Sequence, residues 1–132
     1  MRRVLILSAA MLAGASGAAW AACTAETRVT TGLQALFQNN RVMTAQDHEH
    51  HGASGVLTEC ARGTSSTVEP SHVVGSWGVG ADQSGGQNIQ YKYDGGAFFT
   101  YSVHSNGDSS YSFCSGASEA ATGNLVAGSC PP

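Results

Sequence analysis

Basic side chains are scarce in this chain. Six Lys+Arg stand against nine Asp+Glu in 132 residues, a formal charge of −3, and charged residues make up only 11% of the sequence. A nucleic-acid binder needs a cationic stripe to neutralise phosphates, and none can be drawn here, so that class is excluded. Long apolar runs are equally rare. The uncharged stretch Val4–Ala22 is the only one, and nothing after it approaches the ~20 residues a membrane-spanning helix needs. The chain also lacks a C-x-x-C pair, which weakens any zinc or redox reading of its cysteines, and it lacks the G-x-S-x-G of a serine nucleophile. Nine scattered acids single out no carboxylate pair of glycosidase type. No catalytic residue is therefore assigned, and the expectation is a protein that is not an enzyme.

The apolar run has a specific reading. Met1-Arg2-Arg3 is a basic start, and Ala19-Trp20-Ala21 places small residues at both recognition positions of a signal peptidase. Residues 1–21 read as a secretory signal peptide, leaving one domain over 22–132. That domain carries four basic residues against nine acids, so its formal charge is −5. Export to the periplasm or the extracellular space is expected, by the general route or, given Arg2-Arg3, by twin-arginine export. Cys23 directly after the cleavage site raises the alternative of a lipid anchor on that residue.

Cys23, Cys60, Cys114 and Cys130 all fall in the exported part, and an even number there reads as two disulfides. Three pairings exist. Cys114–Cys130 with Cys23–Cys60 is the expected one, closing a short C-terminal loop and tying down the N-terminal arm. Chain entropy assigns these loops about 3 and about 4 kcal/mol.

Residues 24–40 hold the one expected helix, with Leu33, Leu36 and Phe37 on a single face and Asn39-Asn40 as its stop. From Arg41 onward the pattern is of short β runs between turns. Expected strands are Arg41–Gln46, Gly55–Ala61, Val73–Val79, Asn88–Tyr93, Ala97–His104, Tyr111–Cys114 and Asn124–Ser129. Asp94-Gly95-Gly96 and the Asn-Gly of Ser105–Asp108 are the clearest turns. The fold class is mainly β, an antiparallel meander or small barrel of about seven strands with one short N-terminal helix.

Two groups of residues are candidate sites. Asp47-His48-Glu49-His50-His51 concentrates ligand-grade side chains. If the segment is extended, His48 and His50 share a face, and with Glu49 and His51 nearby the set suits zinc, copper or nickel. The aromatics Trp77, Tyr91, Tyr93, Phe98, Phe99, Tyr101, Tyr111 and Phe113 all sit in the β region, where most form core. Phe98 and Phe99 point opposite ways, so one of them is free for a ligand or partner. Phe98 and Trp77 are the candidate contacts.

Val74-Gly75-Ser76-Trp77, Tyr91-Lys92-Tyr93-Asp94-Gly95-Gly96, Phe99-Thr100-Tyr101-Ser102-Val103 and Tyr111-Ser112-Phe113-Cys114 together form a pattern. Over roughly residues 56–130 it resembles a family of small, exported, uncharacterised bacterial proteins, with G-x-W, Y-x-Y-x-G-G, aromatic-T-Y-x-V, an N-G turn and S-F-C. The motifs are structural, and the resemblance implies no activity. The G-x-W is also similar to that of lipocalin-like small barrels, although there it lies on the first strand and here mid-chain. That similarity implies a cavity for a small apolar ligand or an inhibitory surface for a secreted enzyme. The functional expectation is a non-enzymatic exported binding or inhibitor module, acting on a small molecule or an exported protein. A periplasmic metal-binding protein using the His48–His51 cluster is the alternative.

Overall fold

The computed structural model of the chain describes residues 22–61 and 70–131. The signal peptide expected over residues 1–21 lies outside them. Alternating short runs from residue 40 onward form eight antiparallel strands: β1 (Asn40–Met43), β2 (His48–His51), β3 (Val56–Glu59), β4 (His72–Ala81), β5 (Gln87–Tyr93), β6 (Phe98–Gly107), β7 (Ser110–Ser115) and β8 (Ser118–Ala127). Each strand pairs with the next. β8 pairs with β1 through Val42↔Leu125 and its neighbours, closing the sheet into a barrel. Closure leaves no open sheet edge, which is how a small β protein avoids edge-to-edge association.

The count is eight strands rather than about seven because the histidine cluster is itself a strand. His48–His51 pairs with β1 on one side and with β3 on the other. Charge and imidazole made the segment read as a loop, but every second residue of it faces the interior. The helix is far shorter than the span 24–40. Only Leu33–Phe37 is α-helical (α1), preceded by a single 3-10 turn at Ala25–Thr27. Leu33 and Phe37 are fully buried, so the expected apolar face is right although the length is not.

The N-terminal arm explains the shortening. β5 and β6 pair only from Ile89↔Tyr101 to Lys92↔Phe98 and then splay. Into that gap the arm inserts, with Arg28 bridging to His104, the Val29 N–H donating to the Val103 carbonyl (2.8 Å), and the Gln87 N–H donating to the Thr30 carbonyl (2.9 Å). Extended backbone satisfies these strand groups; helix would leave them unpaired. The chain then passes inside and α1 plugs that end of the barrel. Phe37 packs at a tilt against His51 and Phe113 and edge-on to Tyr111, at ring distances of 5.5, 5.9 and 6.1 Å. With Val42, Leu57, Trp77, Ile89, Tyr91 and Val103 it makes the core.

The disulfides join Cys23 to Cys114 and Cys60 to Cys130, which overturns the expected pairing. β8 carries the chain ten residues, about 30 Å, away from Cys114 before the tail begins, and a disulfide needs Cα atoms within about 7 Å. Cys23 and Cys60 are likewise apart, because β7 and the end of β3 lie on opposite sides of an eight-strand ring. The observed links enclose separations of 91 and 70 residues, for which chain entropy gives about 4–5 kcal/mol each, more than the pairing they replace. A sulfur committed to Cys114 also cannot carry a thioether-linked lipid, so the anchor on Cys23 is set aside. Two disulfides of this kind belong to an oxidising, exported environment. Among the described residues no helix is long and apolar enough to cross a membrane.

The β6–β7 hairpin forms as expected, but its tip is displaced from Asn-Gly. Asp108 and Ser109 occupy the two turn positions with φ of 51° and 61°, the mirror-image turn that suits a twisted hairpin. Gly107 pairs with Ser110, and Asn106 falls at an irregularity in the ladder, where its amide donates to Ser112 Oγ (2.8 Å).

One glycine governs the position of the site described below. Gly75 faces Tyr93 across the β4–β5 ladder, and a Cβ there would lie 2.1 Å from the Lys92 carbonyl oxygen and 2.8 Å from Tyr93 Cα. Both contacts are backbone, so neither can swing aside. Gly75→Ala is expected to lower stability by about 3 kcal/mol. Urea denaturation of the oxidised protein checks this, and an unchanged midpoint would show that the two strands separate at no cost.

Candidate functional site

The barrel is filled at one end and open at the other. β2 starts at the open end with His48 and finishes beside the plug with His51, while β5 runs the opposite way to Tyr93. Period-2 alternation therefore sends Glu49 and His51 inward from β2, and Tyr93 and Tyr91 inward from β5, in matching order. Two hydrogen-bonded rungs cross the interior. The deeper one joins His51 Nε2 to Tyr91 Oη at 2.9 Å. The shallower one joins the Tyr93 hydroxyl to Glu49, at 2.9 Å from Oε2 and 3.1 Å from Oε1.

Burial sets the protonation of the deep rung. His51 is held down at about 4 chiefly by desolvation, opposed by the backbone of Glu49 and Asn40, and Tyr91 is pushed well above its ordinary value, again chiefly by desolvation. Both partners are thus neutral near pH 7. A neutral imidazole and a neutral phenol share one proton in this bond, and His51 Nδ1 has no well-aligned partner. Trp77 packs edge-on to His51 at 5.1 Å and donates its indole N–H to the Gly52 carbonyl (2.8 Å).

The shallow rung behaves differently. Glu49 is pushed up to about 7: burial is the main cause, the carboxylates of Asp47 and Glu59 add to it, and the Tyr93 hydrogen bond opposes it. Glu59 is the residue directly opposite Glu49 across the β2–β3 ladder, where like charges repel. The Tyr93 phenol is raised by burial and by the adjacent Glu49 charge, so it remains a donor. A carboxyl that changes charge near neutral pH at the mouth of a barrel is a group with a function to look for.

Above this rung lies a cavity of about 420 Å³. Its aromatic wall is built by Tyr91 and Tyr93 from β5, Phe99 and Tyr101 from β6 and Phe113 from β7. The rings form one connected set, with Phe99 and Tyr101 stacked at 6.0 Å and 9° and Tyr93 edge-on to Phe99 at 6.0 Å. Glu49, Glu59 and Asp47 supply the acidic side, and Val42, Val74 and Ala121 supply apolar surface. A concave site of this size with a few convergent polar groups is the usual form of a small-molecule site.

The residues expected from sequence are redistributed. Phe98 points outward and is 60% exposed, as one of the two adjacent phenylalanines had to be. Phe99, its inward neighbour, is the one that lines the cavity. Trp77 is only 5% exposed and lines no part of the cavity, so its assignment as a contact is withdrawn: its indole N–H is already taken by Gly52. The expected metal set is split by the pleat. His48 and His50 lie on the outer face, whereas Glu49 and His51 lie inside. His48 Nε2 is moreover 3.2 Å from Arg41 Nη1, a donor that occupies its lone pair. Burial and Arg41 both push His48 below its ordinary value, with Glu59 opposing. Among the described residues no three His, Cys, Asp or Glu side chains converge on one point. Tyr93, Phe99, Tyr101 and Glu59 were missed as a site. Alternation announced that they face inward, but not that one end of the barrel stays unfilled.

A second, shallower depression lies outside the barrel under the N-terminal arm. There Arg28 pairs with Asp82, and His104 is held by Thr27 Oγ1 (3.0 Å) and Ser102 Oγ (2.9 Å). Side chains and backbone of the arm take up its polar groups, so it reads as structural. No protein-family model, no characterised protein and no solved structure matches this chain.

Glu49 makes stability depend on pH in a direction unusual for a carboxylate. Between about 4.5 and 7 the folded state holds a proton that the unfolded state has lost, so stability falls as pH rises through that window. His51 acts the other way between about 4 and 6.5, because the unfolded state binds the proton there. Glu49→Gln isolates the first effect while keeping an acceptor for Tyr93. Relative to wild type, the variant is expected to gain about 2–3 kcal/mol between pH 5 and pH 8, each tenfold in proton affinity being worth ~1.4 kcal/mol. Denaturant titrations at the two pH values read this. An equal difference at both would mean that the carboxyl is fully solvated.

Proposed function

We propose that this protein is an exported, non-enzymatic binding module that holds a small molecule in the open end of its barrel. The cavity carries the reading: about 420 Å³ of space, one aromatic wall, and a buried carboxyl aimed at a phenol across it. Such a site is preformed, because the plug and the closed sheet fix its walls, and preformed walls reduce the ordering cost of binding. The two disulfides fit a protein working in the periplasm or outside the cell, where chaperone and energy supply are sparse and covalent links hold a small core together. Phe98, exposed on the outer face, is the contact through which an exported protein partner would act instead.

The neutral aromatic dye N-phenyl-1-naphthylamine separates these sites. Its fluorescence is expected to rise on binding to wild type. Ala121→Trp, which fills the cavity from β8, is expected to weaken binding at least tenfold, and Phe98→Ala is expected to leave it unchanged. Equal binding by wild type and Ala121→Trp would remove the cavity as the site. Loss of binding in Phe98→Ala would move it to the outer face.

A further inference from the structure

The chemistry of the cavity narrows its ligand. Its described lining holds three carboxyl groups, three phenols and two phenylalanine rings, and no Lys, Arg or His. The described cations are directed elsewhere. Lys92 alternates outward between Tyr91 and Tyr93, Arg41 lies outside with His48, and Arg28 pairs with Asp82 under the N-terminal arm. Whatever further contacts Asp47 and Glu59 make, both act on Glu49 as negative charges. An anion entering here would meet that field in a partly desolvated space. A neutral apolar body would use the rings and leave the carboxyl without a counterpart.

The rings add to the same preference. The face of a phenol or phenyl ring carries negative potential, and a cation set against it is stabilised, more so when water is excluded. Phe99 and Tyr101 present parallel rings, and Tyr93 stands edge-on beside them with its hydroxyl on Glu49. We propose that the cavity binds a small organic cation, a protonated or quaternary amine with an apolar or aromatic body, seated between the Glu49 carboxylate and the rings of Tyr93, Phe99 and Tyr101. This rests on the binding function above and names the ligand class.

The titration of Glu49 gives this site a pH signature. The groups that face it are Asp47 from the preceding loop, Glu59 from β3, Tyr91 and Tyr93 from β5 and Tyr101 from β6. The phenols remain protonated, so the carboxyl is what changes charge near pH 7. A cation favours the carboxylate, displaces the proton, and binds more tightly as pH rises. A neutral ligand lacks that dependence, and an anion reverses it.

Displacement of N-phenyl-1-naphthylamine from the oxidised protein tests the assignment with three probes: benzyltrimethylammonium, its neutral carbon isostere neopentylbenzene, and phenylacetate. At pH 8 the cation is expected to bind at least tenfold more tightly than the isostere, and to lose about tenfold or more at pH 5.5. Glu49→Gln is expected to abolish both the preference and the pH dependence while still binding the isostere. Phe99→Leu, at a half-exposed position where folding is insensitive, is expected to weaken the cation several-fold and spare the isostere. If the isostere or phenylacetate matches the cation at pH 8, the proposal is overturned and a cavity for other ligands stands. If the dye binds but the cation fails to displace it, the proposal is likewise overturned. If neither dye nor probe binds in the cavity, the binding function falls with it.

Discussion

Two hydrogen bonds across the barrel interior, His51 to Tyr91 and Glu49 to Tyr93, hold the constraint on which the rest of the structure depends. A strand of sequence His-Glu-His-His is a poor candidate for the wall of a small barrel, because every second side chain must enter the core. It is tolerated only where each inward polar group meets a partner at the right depth. β5 supplies those partners with a Tyr-Lys-Tyr run of the same period. The antiparallel sense of the two strands matches the rungs, deep with deep and shallow with shallow. A one-residue slip of either strand would replace Tyr91 and Tyr93 by Gln90 and Lys92, or Glu49 and His51 by His48 and His50, and would leave the inward groups unsatisfied. Register in this barrel is thus specified by polar pairing as much as by apolar burial.

The two rungs also explain why the barrel has unlike ends. The deeper rung is buried. Phe37 from the plug packs at a tilt against His51, Trp77 stands edge-on to it, and the pair is neutral near pH 7. The shallower rung has no second layer above it, so Tyr93 and Glu49 form the floor and side of a cavity instead of a core layer. The N-terminal arm can plug only one end, because it enters through the gap between β5 and β6 and its outer part is bound to β7 by Cys23–Cys114. The second disulfide ties the tail after β8 to the end of β3 and so spans β1 and β2, which with β3 are the shortest strands of the ring. This link therefore braces the side of the barrel where the strands are shortest, while Cys23–Cys114 fixes the arm.

Much of this was legible in the sequence, and what escaped it has physical causes. The strands β4 to β7 announce themselves by alternation, since Ile89, Tyr91 and Tyr93 or Tyr101 and Val103 are apolar at period 2. β2 does not, because its alternation is between one set of polar side chains and another, and only the partner strand reveals which set is inside. The cysteine pairing escaped because sequence distance is a poor guide to spatial distance when a ten-residue strand runs between Cys114 and Cys130. The Asn-Gly turn lost its place to Asp108-Ser109 because the ladder irregularity at Asn106 shifts the hairpin's closing pair to Gly107 and Ser110. The site was half visible. Phe98 and Phe99 had to diverge, but which one meets a ligand depends on which end of the barrel is stoppered, and the stopper ends fifty positions before the first strand that forms the aromatic wall.

The shortage of basic residues, which at first only excluded nucleic acid, takes on a positive role once the mouth is described. Cations are few, and the described ones lie away from the cavity: Arg28 with Asp82, Arg41 with His48, and Lys92 exposed on the outer face of β5. Three carboxyl groups line one cavity, and burial, reinforced by the charges of Asp47 and Glu59, favours the protonated form of Glu49. That proton is exchangeable for any group that carries positive charge into the cavity. The cost of charging the buried Glu49, to which the neighbouring acids add, lowers the stability of the empty barrel as pH rises, and a cationic ligand would offset that cost. His51, one rung deeper, acts in the opposite direction: its contribution to stability is lost as pH falls, because burial disfavours its charged form.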